Sequence, residues 1–441
     1  LAAVLANSGF DIIGVDANAK FVADVQAGRA PVAEPGLQEL LTSSRKPVHA
    51  TADIDAAVSA TDVTFIVVPT PSQPDGSFTN SYVLAAISDI GSSLRRKNGY
   101  HLVVVSSTVM PGSTGGPIRE ALEATSGRRL GDRLGLCYNP EFIALGSVIR
   151  DMVNPDFILI GESDVRAGDM LEAIYRVSCD NQPPVQRMGF VDAEIAKISV
   201  NAFVTAKISF ANMISELCDH MPGADAGVVT AALARDSRIG GKYLVPATAF
   251  GGPCFPRDNA AFAALARRLE TQAEIPEATD SINRRQAWRI TSLVRALIGE
   301  GTVGILGMSY KPNTGVVEKS VSIEIAANLA DAGCRVLMFD PAGLGAAAAM
   351  LGAKAQPVAS AQECAERSDL LIIATPWSEF RSLPLAALRR PGRPLPVVDC
   401  WRLLPVHEFA HIVDLVHPGR HRPLQPFAGR SGAWALEGSG S

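Results

Sequence analysis

The chain has 441 residues, 47% apolar and 19% charged, with a formal net charge of -5 and a pI near 5.9. That length exceeds one ordinary core and predicts two or three domains, while the mild acidity gives no general attraction to nucleic acid or an anionic membrane. No apolar run approaches the roughly 20 residues that span a bilayer, and the seven scattered cysteines form no C-x-x-C pair, which argues against a disulfide scaffold or structural zinc site and makes the cytoplasm the expected compartment.

Residues 1–7 read as a helix already under way. After Ser8-Gly9, the apolar strand Asp11 to Val15 ends in Asp16. This is the second half of a nucleotide-binding βαβ unit, in which a closing acid accepts hydrogen bonds from a ribose diol. In that register the glycine-rich phosphate turn belongs before Leu1, so the chain is expected to begin inside a domain. Strands follow at Val63 to Val68, Leu102 to Val105, Leu134 to Tyr138 and Asp156 to Ile160, with helix from Tyr82 to Leu94. Strand and helix in alternation predict a parallel sheet covered on both faces, over a first domain at 1–187.

From Val191 to about His220 the apolar positions Ile195, Ile198, Phe203, Ile208 and Met213 predict one helix near thirty residues long, suited to a spine or a dimer contact. Helices at Ala260 to Leu269 and Thr279 to Ile298 complete an α-helical middle domain, 188–298. At Gly301 the alternation resumes with Thr302 to Leu306, the helix Ile323 to Ala332 and Arg335 to Phe339 ending in Asp340. Later strands are Leu370 to Ala374 and Val397 to Asp399. Gly333 and Asp340 repeat the spacing of Gly9 and Asp16, so 299–441 reads as a second copy of the same architecture. Its Gly304-Ile305-Leu306-Gly307-Met308-Ser309 lacks the dinucleotide fingerprint. The Gly/Ser-rich end past Pro423 is expected to fray. The fold class is therefore α/β: two Rossmann-like parallel-sheet domains joined by a long central helix and an all-α middle domain.

Chemistry-bearing residues stand at loop and helix positions. Gly251-Gly252-Pro253-Cys254-Phe255-Pro256-Arg257-Asp258 puts a cysteine beside a cation and a carboxylate, a setting for a reactive thiol or else a Pro-flanked surface turn. Lys197 and Asn201 share a helix face and either aim at an oxyanion or face solvent. Glu141, in Asn139-Pro140-Glu141-Phe142 at a strand end, is a base or water-ordering group or a solvated loop carboxylate. Ser106-Ser107-Thr108 supplies hydroxyls for a ligand or a helix cap. His407-Glu408-Phe409-Ala410-His411 matches a zinc-protease pattern but follows Pro405 and lacks an evident third ligand, so no metal is expected.

Taken with Gly14-Val15-Asp16, Glu34-Pro35-Gly36-Leu37, Val67-Val68-Pro69-Thr70-Pro71, Ser106 to Gly112, Glu194 to Asn201, Arg238-Ile239-Gly240 and Tyr310-Lys311-Pro312-Asn313-Thr314, these segments resemble the UDP-glucose/GDP-mannose dehydrogenase family over nearly the whole chain. The resemblance implies a four-electron oxidation of a nucleotide sugar's C6 alcohol to the acid with two NAD⁺. UDP-glucose is the favoured substrate, with UDP-N-acetylmannosamine and GDP-mannose as alternatives and a non-catalytic nucleotide-sugar-binding protein as a reading of another class. It implies Cys254 as nucleophile, Lys197 and Asn201 as oxyanion donors, Asp258 in proton transfer, and Thr108 and Glu141 on the hydrolytic water. Asp16, Pro69, Thr70 and Thr108 would hold NAD. Glu141, Phe142, Lys197, Asn201, Arg238, Tyr243, Phe250, Gly251 and Lys311 would contact the substrate, and Lys311 would come from the C-terminal, UDP-sugar-binding domain. A homodimer or higher homo-oligomer is expected, with no nucleic-acid or membrane partner. Arg257 stands where the family usually has Lys, and Gly315-Val316-Val317-Glu318-Lys319 replaces its usual acid and arginine, which puts a cofactor or interdomain contact from that loop in doubt.

Overall fold

The computed structural model describes residues 1–422. Contacts divide the chain into two compact units, one of residues 1–206 and 253–280, the other of 207–252 and 281 onward. The helical segment 188–298 is thus shared between them.

In the first unit, β1 (Ile12–Val15) and β2 (Val48–Thr51) form a parallel pair. A separate sheet runs in the order β3 (Val63–Ile66), β4 (His101–Val105), β5 (Leu134–Tyr138), β6 (Ile158–Glu162), β7 (Val185–Met188). Its pairings are parallel except β5 with β6, which is antiparallel, so the expected all-parallel sheet is a mixed one. Because side chains alternate along a strand, Val103, Val105, Leu134 and Leu136 enter one core with Val83, Ile87, Ile90 and Leu94 of the helix Ser81–Leu94. Leu102, Val104 and Cys137 enter the opposite core with Ile160, Ala167 and Leu171. These strands are buried on both faces, and each such Val, Leu or Ile contributes about 1.5–3 kcal/mol on burial. β1 and β3 are each hydrogen-bonded along one edge, and their residues are mostly half-buried.

A polar cluster sits at the base of this sheet. The buried His101 imidazole pairs through Nε2 with Thr64 Oγ1 at 2.8 Å and through Nδ1 with Lys97 Nζ at 3.1 Å. Burial, aided by the Lys97 charge, pushes His101 down to about 3, so it is neutral in the folded protein.

The second unit carries a six-stranded, all-parallel sheet in the order β10 (Gln356–Pro357), β9 (Arg335–Phe339), β8 (Thr302–Leu306), β11 (Leu370–Ile373), β12 (Leu395–Asp399), β13 (Val413–Val416). Here β8 lies between β9 and β11, where the first unit has two ladders not hydrogen-bonded to each other. The repeat read from Gly9/Asp16 and Gly333/Asp340 is present in the backbone. Both glycines follow a helix with φ of +98° and +89°, a conformation that costs glycine nothing and other residues strain. The Gly/Ser-rich end expected to fray lies outside the described residues.

Candidate active site

The long helix, Phe190–His220, runs through the expected span but is turned unexpectedly. Glu194, Lys197, Thr205, Ser209, Asn212 and Ser215 are buried, whereas Val191, Ile195, Phe203, Phe210 and Leu217 are exposed. Its polar residues therefore face the protein, and the signal for this was a row at i, i+4 and i+8: Lys197, Asn201, Thr205.

Within the first unit this row meets a second helix, Phe255–Arg268, whose N-cap residue is Cys254 and whose second position is Pro256. Proline is tolerated there because the first turn's N–H groups have no partners inside the helix. Cys254 and Asp258 lie one helical turn apart, the Asp258 N–H donating to the Cys254 carbonyl at 2.9 Å. Asn201 Nδ2 donates to Asp258 Oδ2 at 2.6 Å. Lys197 Nζ donates to the Glu141 carbonyl at 2.7 Å and lies 4.5 Å from the centroid of the Phe142 ring. The structure thus brings Lys197, Asn201, Glu141, Phe142 and Asp258 together. Cys254 is exposed and lies close enough to Lys197 to act on it electrostatically, while the other six cysteines are buried.

Burial governs the titration of this cluster. It lowers Lys197 from the ordinary lysine value, against the raising influence of Asp258, Cys254 and Glu141. It raises Asp258, against Lys197, Asn201 and Arg257. It raises Glu141 as well. Desolvation thus moves acid and base toward each other, a pattern of sites that exchange protons near neutrality. An exposed thiol at a helix N-terminus beside a cation is the setting in which a reactive cysteine is found.

The positions expected to hold NAD lie at strand ends. Asp16 follows β1, is exposed, and accepts the Asn18 N–H at 2.7 Å. Thr70 Oγ1 donates to the Thr108 carbonyl at 2.6 Å, linking the segments after β3 and β4, and Pro69 is exposed beside it. A carboxylate open to a diol and hydroxyls at the carboxyl edge of parallel strands fit the ribose and nicotinamide ends of the cofactor. Asp340, the equivalent of Asp16 in the second unit, does not. Its buried carboxylate takes N–H donors from Met308, Ser309, Ala342 and Gly343, the Ser309 hydroxyl at 2.9 Å, and Trp377 Nε1 at 3.3 Å. Every lone-pair direction is spent internally, so this carboxylate is not open to a ribose diol.

Other predicted residues fall in the second unit. Arg238 is exposed and paired with Asp236 at 2.6 Å, and Tyr243 is half-exposed with φ +64°. The backbone of Phe250 is gripped by Asn283, whose amide accepts its N–H and donates to its carbonyl, each at 2.9 Å. A Cβ on Gly251 would stand 2.2 Å from the Lys319 carbonyl oxygen, and the Gly252 N–H donates to Glu318 O at 3.1 Å. The atypical 315–319 loop thus contacts Gly251 and Gly252 through its backbone. Lys311 is half-buried, with Nζ 5.8 Å from the Tyr310 ring centroid. Of the zinc pattern, His407 lies in the four-residue helix Val406–Phe409 and His411 beyond it, both exposed. Among the described residues no group of His, Cys, Asp and Glu is arranged to hold a metal.

Sequence reasoning gave no role to four supporting residues. Thr205 Oγ1 donates to Asn259 Oδ1 at 3.1 Å, and Asn259 Nδ2 to Asp280 at 3.0 Å, extending the helix-to-helix row. The buried Glu194 takes the N–H groups of Gly112 and Thr114 at 2.6 and 2.7 Å and so fixes the loop following Thr108.

Compared with known proteins, the chain matches the UDP-glucose/GDP-mannose dehydrogenase family in three parts: the NAD binding domain over residues 1–178, the central domain over 191–285 and the UDP binding domain over 304–405. The chain belongs to this family. It is 36% identical over 392 residues to the UDP-glucose 6-dehydrogenase AglM of Haloferax volcanii, covering 87% of this chain and 90% of the relative. It is 32% identical over 343 residues to the GDP-mannose 6-dehydrogenase of Pseudomonas aeruginosa, covering 77% and 78%. A solved UDP-glucose dehydrogenase from Pyrobaculum islandicum superposes with a TM-score of 0.85 at 34% identity, covering 96% of this chain and 94% of the other. The protein is an NAD-dependent nucleotide-sugar 6-dehydrogenase, an oxidoreductase that binds a nucleotide sugar through its UDP-binding domain. Among the described residues no helix is long and apolar enough to cross a membrane.

Proposed function

We propose that the protein carries out both two-electron stages on one sugar, converting UDP-glucose to UDP-glucuronate through a covalent Cys254 intermediate. The observation that carries this is the facing of two i, i+4 pairs, Lys197/Asn201 and Cys254/Asp258, joined by the Asn201–Asp258 hydrogen bond. When bound, NAD⁺ supplies a hydride acceptor for each stage, with Asp16, Pro69, Thr70 and Thr108 as its contacts. Loss of the C6 hydroxyl proton and of hydride gives the aldehyde, the proton passing to the Lys197/Asp258 pair. The Cys254 thiolate then adds to the aldehyde carbon, and the Lys197 ammonium with the Asn201 amide stabilises the oxyanion of the thiohemiacetal. Loss of a second hydride leaves a thioester. Water, oriented by Thr108 and deprotonated by Glu141, breaks the C–S bond, releasing the carboxylate and regenerating the thiolate. In sum, the alcohol, one water and two NAD⁺ give the carboxylate, two NADH and three protons.

The UDP-binding character of residues 304–405 and the greater identity to a UDP-glucose enzyme than to a GDP-mannose enzyme favour UDP-glucose. Arg238, Tyr243, Phe250, Gly251 and Lys311 are the proposed nucleotide and sugar contacts of the second unit. A reducing cytoplasm suits a chain whose exposed cysteine is its nucleophile. The test is to supply UDP-glucose, UDP-N-acetylmannosamine and GDP-mannose in turn and count NADH against sugar acid. Two NADH per acid, fastest with UDP-glucose, is expected; a single NADH per sugar, with an aldehyde as end product, would refute the two-stage mechanism.

The long helix also supports a homodimer. Phe203, Phe210 and Leu217 recur every seven residues and are 70%, 44% and 61% exposed, an apolar seam on a helix whose buried face carries Glu194, Lys197, Thr205, Ser209, Asn212 and Ser215. Seven-residue spacing suits helix against helix, and a second copy offers the same seam. Phe210→Glu with Leu217→Glu is expected to shift sedimentation from dimer to monomer, and a wild-type chain that sediments as a monomer would defeat this proposal.

A further inference from the structure

The Glu34-Pro35-Gly36-Leu37 segment takes no part in the chemistry above, yet both oxygens of Glu34 are committed to one distant loop. Oε2 accepts the Gly146 N–H at 2.9 Å and Oε1 the Val148 N–H at 2.8 Å. Gly36, at φ +79°, brings the turn against the start of the helix Val148–Val153, where a Cβ in its place would lie 3.7 Å from Ile149.

The loop between β5 and that helix carries Glu141 and Phe142 and has no regular secondary structure, so no ladder fixes its backbone. Three anchors do. Lys197 holds the Glu141 carbonyl at 2.7 Å, and Asp151 takes the Ala144 N–H at 3.1 Å and the Ser147 hydroxyl at 2.7 Å. Glu34 takes the two amides further along. Asp151 is local to the loop and Lys197 belongs to the reacting cluster. Glu34 alone of these three reaches the loop from an outlying part of the unit.

We infer that Glu34 is a positioning residue for the nucleotide sugar: it holds residues 141–148 in register, so that Glu141 and Phe142 meet the substrate at a fixed geometry. This rests on the proposed substrate contacts of Glu141 and Phe142. A carboxylate suits the task because it accepts from both amides at once and with charge assistance, next to the positive end of a helix. Glutamine keeps only one accepting oxygen.

The test uses E34A and E34Q beside the wild type, with UDP-glucose and GDP-mannose as probes. In E34A the KM for the accepted nucleotide sugar is expected to rise about tenfold or more, and less in E34Q, while the KM for NAD⁺ stays within about twofold. Amide hydrogen exchange at Gly146 and Val148 should accelerate in both variants. An E34A enzyme with faster exchange at these amides but a sugar KM within about twofold of wild type overturns the inference, because the clamp would then be structural only. E34Q decides the matter in the same way should E34A fail to fold. If the wild type oxidises neither sugar, the functional reading fails and this inference with it; wild-type turnover with unaltered variants overturns the inference alone.

Discussion

Replacing Cys254 by alanine is expected to abolish formation of the sugar acid, lowering the rate by about 10³-fold or more, the scale of losing a covalent nucleophile. The thermal midpoint should not move. Cys254 is exposed, and substitutions of exposed side chains generally lie within about 0.5 kcal/mol of neutral. The loss is therefore separable from misfolding in a single preparation. Serine at this position is the more informative variant. Its hydroxyl is a poorer nucleophile than a thiolate, and a serine ester hydrolyses more slowly than a thioester, so a stalled acyl adduct of sugar-acid mass should appear on the intact protein. The measurements are NADH yield, acid yield and protein mass after exposure to UDP-glucose and NAD⁺. Turnover to acid by Cys254→Ala within about tenfold of wild type would remove Cys254 from the mechanism.

Much of this site was legible because helical periodicity is a strong signal. The four-residue spacings Lys197/Asn201 and Cys254/Asp258 each predict a shared face, and the family motifs predicted that the two faces belong to one chemistry. What the spacing did not reveal is that the helices meet through a direct Asn201–Asp258 bond, since a pairing of residues fifty-seven positions apart leaves no local trace. The sense of the long helix was less legible. Ile195, Ile198, Phe203, Ile208 and Met213 look like a core stripe, but Ile198 is buried and Phe203 is 70% exposed. Burial of polar side chains is uncommon in general, so a pattern reader places the apolar residues inward. Here the row Lys197, Asn201, Thr205 takes the inward face and leaves Phe203 and Phe210 outside.

Strand positions were read well where both faces are buried, as at Leu134–Tyr138, Thr302–Leu306 and Arg335–Phe339, because an uninterrupted apolar run has sharp ends. The antiparallel pairing of β5 with β6 was not legible, since direction is set by the connection between strands and not by their composition. Nor was the fate of Asp340. Its spacing from Gly333 copies that of Asp16 from Gly9, yet one acid is exposed and the other is saturated by the turn after β8 and by Trp377. Identical spacing thus supports opposite chemistry.

The second large effect is expected at Lys197 and Asp258, and it distinguishes a functional cluster from a merely structural one. Lys197→Met takes one cation away from the carboxylate of Asp258, which is 1% exposed, and leaves Arg257 Nε at 3.7 Å; the loss of stability is therefore expected to stay below the about 3–5 kcal/mol of breaking a buried ion pair outright. Asp258 is already raised by burial, with Lys197 the largest influence holding it down. In the variant its folded pKa therefore rises further above the unfolded value. A group so raised is most favourable when protonated, so the destabilisation of Lys197→Met relative to wild type should be smaller near about pH 5 than near about pH 8. The converse variant, Asp258→Asn, removes the largest influence raising Lys197. The ammonium must be charged to stabilise the oxyanion, so the alkaline limb of the kcat profile should move to lower pH as kcat falls by about 10²-fold or more. Combining Lys197→Met with Asp258→Asn removes both buried charges and should recover most of the stability lost in Lys197→Met, yet none of the activity. Urea unfolding and pH–rate profiles on the three variants decide the case. An alkaline limb that stays in place in Asp258→Asn would show that Lys197 does not act as the charged donor. A double variant that regains activity along with stability would show that the pair serves the fold and not the reaction.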